Sequence, residues 1–329
     1  MNTLKLIKDG SKGTVKPNVL NEVIGQKDVR KKLSFYVQSH SDSTPFPTAV
    51  FTGSQGLGKT YMANKVAEAL GRNLIEVNCG VMDTVEGFVG DILIKKVTLE
   101  LGGEKEVTIL LDEAHKLSSE LTTFLLTVLN PNENNVNSFT YGEWNVQYDM
   151  RKINLIFATT DAHMIFRPLL NRCKEIYFGL YNNQDLFKIL EYYTENIEIT
   201  CDKTRISYAC RGRARDAFML AQDIRRYCHM KGKDTFGDLD WKELREVFTI
   251  HPYGLNSQEV EFLRVVAKEQ PISCNGIAIK MGVNSDNIES EIELRPRELG
   301  FVRSEPRGRM LTTEGEAYLK SMKKNAKCS

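Results

Sequence analysis

The stretch Ala49-Val50-Phe51-Thr52-Gly53-Ser54-Gln55-Gly56-Leu57-Gly58-Lys59-Thr60 decides the fold of this chain. From Gly53 to Thr60 it matches the phosphate-loop pattern G-x-x-x-x-G-K-[ST] at every fixed position. Ala49-Val50-Phe51 reads as a buried strand and Tyr61–Leu70 as a helix, so the glycines fall in the turn between them. Small residues there let successive backbone N–H groups approach phosphate oxygens, with the positive end of the helix behind them. Lys59 is then expected to reach the β- and γ-phosphates, and Thr60 to offer its hydroxyl to Mg²⁺. A glycine-rich turn of no special purpose shares the composition but not the strand–loop–helix setting.

Outward from this loop, short apolar strands alternate with amphipathic helices, which predicts a parallel sheet covered on both faces. The expected strands are Ala49–Thr52, Leu74–Asn78, Thr108–Leu111 and Asn154–Ala158, with Glu175–Phe178 as a fifth. Helices fit Lys27–His40, Tyr61–Leu70 and Ser119–Leu129. The pattern divides the chain into an α/β block over 1–178, a helical block without strands over 179–250, and a small helical unit with a β-wing over 251–329. The wing reads Gly300-Phe301-Val302, a turn at Pro306-Arg307-Gly308-Arg309, then Met310-Leu311-Thr312.

A phosphate loop alone binds nucleotide; hydrolysis also needs an acid near the metal and a group that places water. Val107-Thr108-Ile109-Leu110-Leu111-Asp112-Glu113 is an apolar strand ending in two adjacent carboxylates. Asp112 is assigned to Mg²⁺ and Glu113 to the attacking water. An Asp-Glu pair can also simply cap the following helix. Leu155-Ile156-Phe157-Ala158-Thr159-Thr160 ends a second strand in two hydroxyls, and Thr160 is the candidate contact to the γ-phosphate or the lytic water. A satisfied strand terminus is the competing reading. Arg172 follows a short apolar helix at Leu169-Leu170-Asn171, where an arginine donated across a subunit boundary would neutralise charge on the γ-phosphoryl oxygens. Arg211-Gly212-Arg213-Ala214-Arg215-Asp216 opens a helix in the second block, and its guanidinium groups could close over a nucleotide.

The chain has 329 residues, 41% hydrophobic and 26% charged, the composition of an ordinary globular protein with room for two or three domains. No apolar run is long enough to span a bilayer, and the first residues lack the apolar core of a secretory signal, so a cytoplasmic protein without a membrane partner is expected. Seven scattered cysteines with no C-x-x-C pair argue for reduced thiols rather than a disulfide frame or a zinc site. The net charge of +1 conceals two basic stretches. Lys203–Lys233 holds nine Lys or Arg against two Asp, and Leu294–Ser329 nine against four Glu. Solvated faces look like this, and so do surfaces for phosphate partners.

Taken in order, these motifs resemble those of AAA+ ATPases and, more closely, of the RuvB family, the bacterial Holliday-junction branch-migration motors. The likeness is carried by Lys16-Pro17-Asn18-Val19-Leu20-Asn21-Glu22-Val23-Ile24-Gly25-Gln26, by Gly56–Thr60, by Asp112-Glu113-Ala114-His115-Lys116-Leu117-Ser118, by Ala158-Thr159-Thr160, by Arg211–Arg215 and by the wing. It implies an AAA+ P-loop domain over 1–178, a helical lid over 179–250 and a winged-helix DNA-binding domain over 251–329. It also implies ATP and Mg²⁺ as cofactors, and a hexameric ring that translocates duplex DNA at a Holliday junction beside a RuvA-like partner. Val15, Lys16, Gly56, Gly58, Lys59, Thr60, Tyr61, Tyr181 and the sensor 2 residue Arg215 would then hold the nucleotide. Arg172 becomes the trans arginine finger, and Arg303, Arg307 and Arg309 the DNA contacts. Segment 130–150 has the length of the family's partner-docking hairpin, and its aromatics (Phe139, Tyr141, Trp144 and Tyr148) read as exposed.

There are departures from the family pattern. Ser54-Gln55 stands where two prolines are usual, Leu170 replaces the first of an arginine pair, and Ser304 sits where an arginine is expected, with Arg303 beside it. Such divergence would suit a phage-borne version. Asn171-Arg172-Cys173 also resembles the Ser-Arg-Cys motif of clamp-loader subunits. A clamp-loader-like ATPase acting on a DNA sliding clamp is therefore a second reading, and a DNA-binding scaffold whose assembly is controlled by nucleotide a third.

Overall fold

The computed structural model describes residues 2–5, 17–82, 84–102, 105–130, 136–141 and 144–325. Its strands are β1 (Asn2–Lys5), β2 (Ala49–Thr52), β3 (Asn73–Asn78), β4 (Val107–Asp112), β5 (Val136–Tyr141), β6 (Trp144–Asp149), β7 (Ile153–Thr159), β8 (Lys174–Tyr177), β9 (Glu198–Ile199), β10 (Thr235–Phe236), β11 (Val302–Glu305) and β12 (Gly308–Leu311). The chain separates into two compact units. Met1–Asn182 with Arg213–Arg215 forms the first, and Asn183–Gly212 with Asp216–Ser329 the second.

The first unit is built on a parallel sheet in the order β3-β4-β7-β2-β8. Side chains of one strand alternate between the two faces, so each central strand feeds two separate cores. Val50 of β2, Ile109 and Leu111 of β4 and Leu155 and Phe157 of β7 pack with Phe88, Ile92 and Leu121 on one face. Their neighbours Ala49, Phe51, Leu110, Ile156 and Ala158 pack with Leu20, Leu33, Met62 and Val66 on the other. The five expected strands all form, each within a residue or so of its expected bounds. The helices run Lys27–Gln38, Lys59–Leu70 and Ser119–Val128, and a helical run over 85–102 covers one face without having been read from the sequence.

Register aligns the strand ends that matter. Thr52 pairs with Thr159, and Leu111 with Phe157, so Gly53, Asp112 and Thr160 leave neighbouring strands at the same, carboxyl edge. Ligands in open parallel sheets bind in crevices at that edge. A separate sheet in the order β1-β6-β5 carries the 130–150 segment as an antiparallel hairpin, β5 against β6, with β1 parallel to β6. Tyr148 of this hairpin is buried and its hydroxyl donates to the Leu93 carbonyl, so it serves the core rather than an exposed face. The side chains of Phe139, Tyr141 and Trp144 lie outside the described residues.

In the second unit the helices Asn183–Thr194, Lys203–Ala209, Ala214–Lys231 and Asp238–Val247 are accompanied by a short parallel ribbon, β9 with β10, where no strands were expected. Two-residue strands are too short to show a period-two pattern, which is why the sequence conceals them. The winged unit packs Ser257–Glu269, Cys274–Met281 and Thr313–Asn325 against the antiparallel wing β11–β12. Leu255, Phe262, Leu263, Ile277, Phe301 and Leu311 form its core. The chain around His251 lies inside this second unit: Arg211 pairs with Glu259, the Arg295 guanidinium donates to the carbonyl of Tyr253 at 3.2 Å, and Tyr208 meets Tyr253 edge-on. No helix among the described residues is long and apolar enough to cross a membrane.

Candidate nucleotide site and wing

The loop between β2 and its helix is shaped by glycines in positive-φ backbone. Gly53 has φ +139, and a Cβ there would lie 2.4 Å from the carbonyl oxygen of Phe178, well inside contact distance. Gly56 and Gly58 also have positive φ, and the helix begins directly at Lys59. The result is a run of backbone facing the helix N-terminus, the arrangement that binds phosphate.

Lys59 is 9% exposed and donates to the carbonyls of Gly53 (2.7 Å) and Ser54 (2.9 Å). Burial lowers the pKa of its ammonium; Asp112 and Glu113 pull it back up, and Arg215 pushes it down again. Thr60 Oγ1 donates to Asp112 Oδ2 at 3.3 Å, so the two residues assigned to the metal meet across 52 positions of sequence. A hydroxyl in the first turn of a helix beside a carboxylate at the end of β4 is a donor set that fits a hard cation such as Mg²⁺. The acids also act on Cys79, whose thiol is pushed up to about 12, first by burial and then by Asp112 and Glu113.

Glu113 adopts a left-handed conformation, φ 55 and ψ 40, as the chain turns from β4 into a short helical turn at Ala114–Lys116. Its carboxylate lies 3.4 Å from both His115 Nε2 and Lys116 Nζ. At the end of β7, Thr160 Oγ1 donates to Asp161 Oδ2 at 2.9 Å, and the buried Thr159 Oγ1 contacts His115 Nδ1 at 3.1 Å. His115, Thr159 and Asp161 were not among the predicted residues. The available signal was adjacency: each lies within two positions of a predicted one.

Arg215 joins the loop through its backbone, donating to the Gly56 carbonyl at 3.1 Å, and the missing Gly56 Cβ makes room for the Arg215 Cβ. The Tyr181 hydroxyl donates to the Leu57 carbonyl at 3.3 Å. Tyr61 is largely exposed on the helix. Val15 and Lys16 lie outside the described residues. Lys59, Thr60, Asp112, Glu113, Thr160, Tyr181 and Arg215, with Gly56 and Gly58, thus gather at one edge of the sheet.

Arg172 does not join them. It is exposed, and its guanidinium donates to the Pro168 carbonyl at 2.9 Å and to Asn130 Oδ1 at 3.0 Å. It precedes β8, whose first residue Lys174 pairs with Ala49, whereas the phosphate loop follows Thr52 at the far end of β2. Four residues of strand, about 13 Å, separate the two edges. An arginine at this edge faces away from its own loop.

On the wing, Arg303 is exposed and pairs with Glu305 at 3.3 Å, while Arg307 is exposed at the turn with no partner among the described residues. Arg309 differs. Its guanidinium is paired to Glu293 (2.8 Å) and Glu289 (2.9 Å), and Glu293 is fully buried. Burial opposes the charge on Arg309, but these carboxylates outweigh it and raise its pKa. Expected as a DNA contact, Arg309 is half-buried and holds its guanidinium in these two ion pairs.

Two family profiles match this chain: the Holliday junction DNA helicase RuvB P-loop domain over residues 15–178 and the RuvB C-terminal winged helix domain over 252–320. Among curated relatives, the Holliday junction branch migration complex subunit RuvB of Ehrlichia canis is 24% identical over 97% of each chain. That of Ehrlichia ruminantium is 24% identical over 95% of this chain and 94% of its own. The solved structure of the Thermotoga maritima RuvB Holliday junction branch migration motor superposes with a TM-score of 0.73 at 23% identity, covering 94% of this chain and 98% of that one, a likeness of fold. With its nucleotide-binding loop and its winged helix both matched in the family's order, the chain belongs to the RuvB family of AAA+ proteins.

Proposed function

We propose that this protein is an ATP-driven DNA motor of the RuvB type, working in the cytoplasm as a ring-shaped oligomer, in recombination and repair, to drive branch migration of Holliday junctions. The carrying observation is the split of the catalytic groups between the two edges of the sheet: Lys59, Thr60, Asp112 and Glu113 at the carboxyl edge, Arg172 at the other. A site complete in one chain would need no partner; one whose arginine faces away is completed by the next copy.

Magnesium-bound ATP would supply an electrophilic γ-phosphoryl group, with ADP as the leaving group. The chain's residues do the rest. The loop's backbone N–H groups and the Lys59 ammonium hold the phosphate oxygens, and Thr60 with Asp112 holds the metal. Glu113 accepts the proton of the attacking water, Thr160 orients the reacting groups, and Arg215 and Tyr181 close the nucleotide side. Arg172 of one protomer neutralises charge in the site of its neighbour. The wing delivers Arg303 and Arg307 to backbone phosphate, and the β5–β6 hairpin is the surface offered to a RuvA-like partner. No observation favours the clamp-loader reading, and the winged-helix match weighs against it.

The test is a synthetic four-way junction with ATP, with and without a junction-binding partner. Strand exchange that disappears in Glu113→Gln, with ATP binding retained and turnover reduced by about a hundredfold or more, is the expected outcome. DNA-stimulated hydrolysis without strand exchange would return the clamp loader to consideration.

A further inference from the structure

His115 belongs to none of the roles above, yet it touches both strands of the site. Its Nδ1 is 3.1 Å from Thr159 Oγ1 and its Nε2 is 3.4 Å from Glu113 Oε2. The direction of the first bond follows from hydrogen-bond accounting. Thr159 Oγ1 accepts from the Asp161 N–H at 2.9 Å. Thr159 is 1% exposed, so its own O–H needs an acceptor inside the protein, and His115 Nδ1 is the acceptor in contact. A neutral imidazole that accepts at Nδ1 carries its proton at Nε2, the nitrogen facing the Glu113 carboxylate. The polar groups then run in one sense: Asp161 N–H donates to Thr159 and Thr159 O–H to His115, whose Nε2–H faces the Glu113 carboxylate at 3.4 Å, a charge contact rather than a hydrogen bond.

We infer that His115 is a positioning residue linking the end of β7 to the Glu113 carboxylate, so that the group receiving the water's proton is held according to what Thr160 is bound to. This rests on the reading of Glu113 as that group. Thr160 lies between Thr159 and Asp161 in sequence, and its hydroxyl donates to Asp161, whose own N–H donates to Thr159. A change of partner at Thr160 therefore displaces Asp161 and Thr159 together, and the imidazole follows. At 3.4 Å the contact to Glu113 is long, so a small movement at His115 tightens or releases it. Lys116, half exposed, holds the same carboxylate and makes no hydrogen bond to β7 among the described residues.

The link is tested first in the nucleotide-free full chain by ¹⁵N NMR of labelled histidine. Of the five histidines, the one whose signal shifts in Thr159→Val should show an unprotonated Nδ1 and a protonated Nε2 in the unsubstituted chain. An unmoved spectrum would overturn the assignment. Turnover supplies the second readout. His115→Gln keeps an amide near the Nε2 position but has no acceptor for Thr159; His115→Asn does the reverse. Each of these, and Thr159→Val, should lower kcat about tenfold with KM for ATP within about twofold. The His115→Gln/Thr159→Val double variant should be no slower than the slower single. A hundredfold additive loss, or wild-type turnover in His115→Gln, refutes the link. Thr159→Ser retains the hydroxyl and should behave as wild type; a loss there would show that the methyl group matters instead. Glu113→Gln separates the two levels: if it keeps turnover the underlying reading fails, and if it abolishes turnover while the cycle is additive, the His115 link alone fails.

Discussion

The two edges of the parallel sheet each bury a cation and treat it in opposite ways. At the carboxyl edge Lys59 has, among the described residues, two neutral carbonyls of its own loop as hydrogen-bond acceptors, and burial depresses its pKa. At the amino edge Arg72, 5% exposed, is surrounded. Its guanidinium donates to Glu106 (2.9 Å), Asn154 (2.7 Å) and the Arg151 carbonyl (2.6 Å), and contacts His40 at 3.3 Å. A saturated cation fastens strands and helices together. One compensated by weak, replaceable acceptors is poised for an incoming anion, because a phosphate oxygen improves on a carbonyl. The wing repeats the contrast at a smaller scale, with Arg309 saturated by Glu293 and Glu289 and Arg307 left in solvent.

If that contrast is right, the largest loss of folding free energy comes from Arg72→Ala, which strands the Glu106 carboxylate and leaves Asn154 Oδ1 with Thr108 alone. We expect destabilisation of about 3–5 kcal/mol by urea unfolding. Arg309→Ala should follow at about 2 kcal/mol, since the buried Glu293 loses its 2.8 Å partner but keeps an ion pair with Arg297 at 3.4 Å. Lys59→Ala should change stability by no more than about 1 kcal/mol while abolishing nucleotide binding measured by titration calorimetry. Equal destabilisation by Lys59→Ala and Arg72→Ala would break the comparison. The smallest effect on folding is expected for Arg307→Ala, whose unfolding curve should overlay the wild type. Its DNA affinity, however, should lose about one unit of slope against the logarithm of salt concentration. An unchanged slope would move the DNA contact off the wing turn.

Much of this was open to reading without a fold, and the boundary between what was and what was not is physical. Gly53–Thr60 declares itself because phosphate recognition here is local: the glycines, the lysine and the hydroxyl are consecutive, and their backbone does the binding. The three central strands β2, β4 and β7 were legible because a doubly covered strand is apolar along nearly its whole length, whereas the outer strands β3 and β8 bury only alternate or single positions. The helical run over 85–102 was missed, and the ribbon β9–β10 was too short to leave a pattern. Tyr148 was read as exposed because an aromatic in a polar hairpin looks the same whether it faces solvent or, as here, reaches the Leu93 carbonyl.

Residue types in order therefore determined that this chain has a nucleotide-binding parallel sheet, two carboxylates at one strand end and a basic wing, since each is written in neighbouring positions. Tertiary structure alone decided which charges are free. Arg72 finds partners 34 and 82 positions away, Arg309 finds them 16 and 20 away, and His115 bridges to Thr159 across 44. It also decided that Arg172 stands at the edge opposite the loop, because strand direction and register, not spacing along the chain, set which end of a sheet a residue occupies. Availability of a charge depends on what surrounds it in space, and one-dimensional order does not contain that.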